Sequence, residues 1–122
     1  MNLSKFFNSF LIAGQGIKYA WSHEQNFKIK LLIGVIVGLL MFVVDITFVE
    51  RIILATFIFL VLALELLNTA VEHLSDLVES KFHEKIKVVK DLMAASVLVI
   101  SIGAVIVGIA IFYTPLIERF FY

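Results

Sequence analysis

From Leu92 to Tyr113 the chain runs for 22 residues without a charge, interrupted only by Ser96 and Ser101. A helix needs about 20 apolar residues to cross a hydrocarbon layer roughly 30 Å thick, so this block is long enough to span. Two more blocks share the property. One runs from about Leu31 to Val49, with Asp45 its only charge, and the other from Ile52 to about Val78. In 122 residues, 61% of them hydrophobic, a water-soluble domain could not hide so much apolar surface. The length allows one domain. The sequence therefore predicts an all-α integral membrane protein with three transmembrane helices.

Charge and cysteine usage exclude several functions. Ten basic and ten acidic residues balance to no net charge, which gives no footprint for nucleic acid. Without cysteine there is no disulfide, thiolate nucleophile or zinc–thiolate site. Ahead of the first span, Phe6, Phe7, Phe10, Leu11, Ile17, Tyr19 and Trp21 alternate with Lys5, Asn8, Ser9, Gln15 and Lys18. This pattern reads as an amphipathic surface helix with Tyr19 and Trp21 at headgroup level. A short helix packed on the bundle is compatible with the same pattern. Asn8, Ser9 and Gly14-Gln15-Gly16 break up the stretch, and no small-residue cleavage site follows, so a cleaved signal peptide is not expected. Pro115 is expected to end the third span.

The lysines set the orientation. Lys5, Lys18, Lys28 and Lys30 precede the first span, and Lys81, Lys85, Lys87 and Lys90 lie between the second and third. The other two ends carry Arg51 and Arg119. The positive-inside rule then places the N-terminus and the 79–91 segment in the cytoplasm and the C-terminus outside. The expected division is a surface helix over 1–27, spans over 28–49, 52–78 and 92–114, and a cytoplasmic loop over 79–91.

The second span carries the chemistry. Ile52 to Leu64 holds no charge, and then Glu65, Asn68, Glu72 and Asp76 follow. At 100° per residue these four fall within about 80° of one another and form one polar stripe. A charge within a spanning helix costs about 2.5–3.5 kcal/mol on insertion scales, so such residues mark functional sites. If the helix enters near Ile52, Glu65 lies about 20 Å along it, still in the apolar layer, and Glu72 about 30 Å, at the interface. Desolvation makes a carboxylate in an apolar layer a better proton acceptor, which suits a general base. Carboxylates at the water boundary suit Mg²⁺, which takes oxygen ligands and keeps waters and substrate phosphates. Nearby lysines could hold phosphates.

Other readings compete. The stripe could only join helices through hydrogen bonds, which is the natural reading of Asn68 alone. The loop lysines, Lys85 and Lys87 above all, could be topology signals. His73 and His83 lack partners at metal-ligand spacing, and no phosphate-loop or protein-kinase signature is present. A proton- or ion-coupled transporter subunit would also use intramembrane carboxylates, but it needs polar groups across the whole membrane, and the third span offers almost none. A non-catalytic assembly protein is the third possibility.

Glu65-Leu-Leu-Asn68-Thr-Ala-Val-Glu72-His-Leu-Ser-Asp76, followed by His83 and by Lys90-Asp91, resembles the signature of the prokaryotic-type diacylglycerol kinase family, which includes undecaprenol kinases. Trp21-Ser-His-Glu24-Gln-Asn-Phe27-Lys28 is similar to a second family region, and the likeness covers nearly the whole chain. The resemblance implies a helical bundle assembling as a homotrimer in the bacterial inner membrane, with sites shared between protomers. It implies transfer of the γ-phosphate of Mg-ATP to the hydroxyl of a membrane lipid alcohol. In that reading Glu65 is the base, with Asn68 beside it, and Glu24 and Glu72 hold the nucleotide-bound Mg²⁺. The nucleotide would meet Lys5, Asp76, Lys81, His83, Lys90 and Asp91 as well as Glu24 and Glu72, and the lipid would meet Glu65 and Trp21. Lys5 stands where members often carry Arg, and Lys81 where several carry an acid. The Gln25-Asn26-Phe27 context and the run from Lys90 look more like undecaprenol kinases than diacylglycerol kinases.

Overall fold

The structure is a computed structural model that describes residues 2–78 and 83–121, apart from the Arg119 side chain. Four helices follow one another: α1 (Leu3–His23), α2 (Gln25–Val43), α3 (Phe48–Asp76) and α4 (His83–Phe121). The described residues contain no strand. The last three helices are long and apolar enough to cross a membrane, in agreement with the three spans read from the sequence.

Local chemistry explains the joints. Glu24 sits in extended conformation between α1 and α2 and caps both. A turn over 44–47 leads to α3, which opens on a complete capping box. There the Glu50 N–H donates to Thr47 Oγ1 at 3.3 Å, and the Thr47 N–H donates to Glu50 Oε2 at 2.7 Å. Two of the N–H groups that a helix start leaves unpaired are thus satisfied.

α2 and α3 run antiparallel, as do α3 and α4. At one end of the bundle Val44, Ile46 and Leu54 form a small buried cluster, covered by Met41, Val107, Ile111, Phe112 and Leu116. At the other end lie Lys30, Glu65, Asp76 and Lys90. Gly34 allows the close approach of α2 to α3: a Cβ there would stand 3.0 Å from Ile58 Cγ2. An apolar groove of about 580 Å³ runs along α2, α3 and α4 between these two ends.

Three expectations are corrected. Part of the expected 79–91 loop is helical, because α4 begins at His83; residues 79–82 lie outside the described residues. Pro115 does not end the third span but sits inside α4, which continues to Phe121. Proline costs a helix one hydrogen bond, but its fixed φ is itself helical, and spanning helices tolerate it. The N-terminal helix ends at His23 rather than near 27. Ala20 is its only buried residue, so Phe6, Phe7, Phe10 and Leu11 remain exposed. Such an apolar helix, packed on the others only toward its C-terminal end, fits a place in the membrane interface better than one inside the bundle.

Candidate active site on the α3 stripe

The polar stripe of α3 passes from buried to exposed within three turns. Glu65 is 3% exposed and Thr69, one turn on, 7%. Asn68 and Glu72 are half-buried, and the Asp76 side chain is 73% exposed. Lys30 of α2 lies against Glu65, whereas most side chains of the last turn of α3 stay exposed. The spacing of the four residues therefore does more than form a face. It carries acidic oxygen from an apolar interior to open solvent along one helix.

Each acid has a distinct environment. Glu65 Oε2 accepts from Lys30 Nζ on α2, forming an ion pair in which the carboxylate is buried and the ammonium partly so. Burying a charge is tolerated when it is paired in this way. Asn68 Nδ2 donates to Glu72 Oε1 at 3.3 Å, which orients that carboxylate. The Asn68 Oδ1 is buried and without a hydrogen-bond partner among the described residues. Asp76 Oδ1 lies 3.9 Å from Lys90 Nζ on α4, joining the ends of the two helices. Lys87 Nζ donates to Asp91 Oδ2 at 2.6 Å one turn along α4. Both groups of that pair are well exposed, so its contribution to stability is small.

The stripe's other flank meets α1. The Tyr19 hydroxyl lies 3.1 Å from His73 Nε2, and the Tyr19 ring stacks on His23 with centroids 4.2 Å apart. The Tyr19–His73 contact ties the surface helix to α3 one residue after Glu72. Glu24, at the break between α1 and α2, is half-buried. Trp21 is exposed and lies under Lys28 Nζ, 5.5 Å from the ring centroid. His83 is exposed at the start of α4, and Lys5 is exposed near the start of α1. Lys81 lies outside the described residues.

The structure thus brings Glu65, Asn68, Glu72, Asp76 and Lys90 to one end of the bundle. One residue there was not singled out from the sequence. Lys30 looked like one more topology lysine, and its helix register alone does not reveal that it turns inward to Glu65. Among the described residues no three His, Asp or Glu side chains converge as a metal cage.

Residues 11–112 match the family described as prokaryotic diacylglycerol kinase. The chain is 37% identical to the undecaprenol kinase of Bacillus subtilis, over 93% of each chain. It is 39% identical to the diacylglycerol kinase of Synechocystis over 90% of this chain and 63% of that one. With the Escherichia coli K12 diacylglycerol kinase it shares 32% identity over 75% of each.

Proposed function

The chain belongs to the prokaryotic diacylglycerol kinase family, and from that membership we propose that it is a lipid kinase of one membrane domain, moving the γ-phosphate of ATP to the hydroxyl of a membrane lipid alcohol. The observation that carries this reading is the buried Glu65 carboxylate, set between an apolar helix body and an exposed acidic end. A membrane-soluble alcohol reaches such a group from the lipid, and a water-soluble nucleotide reaches its neighbours from solvent.

In this reading the acceptor oxygen attacks the γ-phosphorus as its proton passes to Glu65. A new P–O bond forms, the bond to the β,γ-bridging oxygen breaks, and ADP leaves. Phosphoryl transfer depends on positioning and charge neutralisation more than on covalent help from the protein. Glu65 supplies the base, Lys90 and His83 line the nucleotide's approach, and Trp21 faces the lipid.

The donor set fits Mg²⁺. This ion is held by one or two carboxylates, with waters and substrate phosphates completing the shell. Glu72, oriented by Asn68, and Glu24 would supply the carboxylates, and the unpartnered Asn68 Oδ1 offers one more oxygen nearby. When bound, the ion would neutralise charge on the phosphates. Asp76, Asp91 and Lys5 complete the nucleotide side, and the family resemblance adds Lys81.

The same reading places the N-terminus and the nucleotide side in the cytoplasm, at a bacterial inner membrane, with three copies of the chain sharing sites. The relatives include both an undecaprenol kinase and diacylglycerol kinases, and the likeness over 93% of the undecaprenol kinase, against 63% of the Synechocystis diacylglycerol kinase, favours a polyprenol acceptor. A coupled transporter finds no support, since the relatives named above are kinases. The deciding experiment is incubation of purified protein in lipid nanodiscs with labelled Mg-ATP and undecaprenol or diacylglycerol in turn. Label entering one lipid, and abolished by chelating Mg²⁺, is the expected result. ATP turnover unaffected by either alcohol would overturn the reading.

A further inference from the structure

Among the described residues, Lys30 is the one charged side chain lining the apolar groove of α2, α3 and α4. It stands at the groove's end toward Glu65; Leu40, Leu54 and Leu116 line the opposite end. The same ammonium donates to Glu65 Oε2. Its side chain is 24% exposed and that of Glu65 only 4%, so Lys30 touches the buried carboxylate on one side and the groove on the other.

Neither ordinary role of a membrane lysine accounts for this placement. A lysine serving as a topology signal extends its ammonium toward water, whereas Lys30 turns inward. Stability does not explain it either. A buried ion pair can often be replaced by apolar side chains of similar volume without loss, because desolvation offsets the attraction. What the pair does accomplish is geometric: it fixes one carboxylate oxygen of Glu65 where the groove ends.

We propose that Lys30 is a positioning residue for phosphoryl transfer, holding the Glu65 carboxylate at the end of the apolar groove so that the hydroxyl of an acceptor lipid meets an oriented base. The proposal rests on the lipid kinase reading above. Lys30 takes no part in the bonds made and broken. The hydroxyl proton goes to Glu65, the oxygen bonds to the γ-phosphorus, and ADP carries away the electrons of the broken bond.

The test uses the full chain in nanodiscs with Mg-ATP and whichever lipid alcohol the wild type phosphorylates. Lys30→Met is expected to lower kcat about 10- to 100-fold while leaving KM for ATP within about twofold. Lys30→Arg, which keeps the charge and can still reach the carboxylate, is expected to recover most of the rate. In a double-mutant cycle, adding Lys30→Met to Glu65→Gln should slow turnover no further, because the two residues act as a unit. Thermal unfolding of each variant separates a folding defect from a kinetic one. If Lys30→Met does not assemble, Lys30→Gln takes its place with the same expected loss. Wild-type kcat in the uncharged variants, or losses that multiply in the double variant, overturns the proposal while the kinase reading stands. A wild-type chain inactive on every lipid alcohol overturns both.

Discussion

Glu65 and Glu72 are two turns apart on one helix, yet they are suited to different chemistry because their surroundings differ. Glu65 is enclosed and paired with Lys30, whereas Glu72 is half-buried and held by an amide. Replacing Glu65 with Gln preserves shape and removes the proton acceptor. Turnover should fall by about 10²- to 10⁴-fold, the usual scale for a general base, with KM for ATP little changed. Glu72→Gln should act differently: the Mg²⁺ concentration giving half-maximal rate should rise, and excess Mg²⁺ should recover part of the activity. A Mg²⁺ titration of each variant tells the two roles apart, and equal Mg²⁺ dependence in both would refute the division. At this scale the stripe was legible because charge in an apolar helix stands out against its background. Lys30 was not legible, since a lysine at a span's edge is the commonest topology signal and only the packing of α2 on α3 shows where it points.

At the scale of elements, contact between α2 and α3 sets the register that brings Lys30 to Glu65. At Gly34 the two helices come close, since a Cβ there would stand 3.0 Å from Ile58 Cγ2, whereas a Cβ at Gly38 meets nothing within 4 Å. Gly34→Leu should therefore force the helices apart, with a loss of about 1–3 kcal/mol typical of overpacking. Gly38→Leu should be close to neutral. Thermal unfolding midpoints in one detergent check the contrast, and a larger loss at Gly38 would contradict it. Turnover should follow stability at Gly34, since the ion pair moves with the helices. Helix existence was readable from apolar length, but helix ends were not. Residues 83–91 carry enough charge to resemble a loop, yet Lys87–Asp91 is an i,i+4 pair that suits a helix surface. Pro115 resembled a stop because its chemistry interrupts helices in water. Inside a spanning helix, leaving the helical conformation would expose more backbone groups than the proline itself does.

At the scale of the whole molecule, the single chain buries little: among the described residues the buried hydrophobic ones are Ala20, Phe27, Val44, Ile46, Leu54 and Val97. The faces of α2, α3 and α4 turned away from one another are covered with Leu, Ile, Val and Phe. Without a membrane this surface would drive aggregation; within one it is satisfied by acyl chains or by further copies of the chain. The chemistry demands a particular orientation, because ATP is available on one side only. Lys5, Lys18, Lys28 and Lys30 before α2, and Lys85, Lys87 and Lys90 at the start of α4, predict that this side is the Glu65 end. The natural chain contains no cysteine, so single cysteines report topology without background. Ser4→Cys, on the exposed face of α1, should resist a membrane-impermeant thiol reagent in intact cells and react once the membrane is opened. Thr114→Cys, exposed near the far end of α4, should react in intact cells. The opposite pattern would put the acidic stripe on the side that lacks ATP, and the phosphoryl-transfer reading could not survive it.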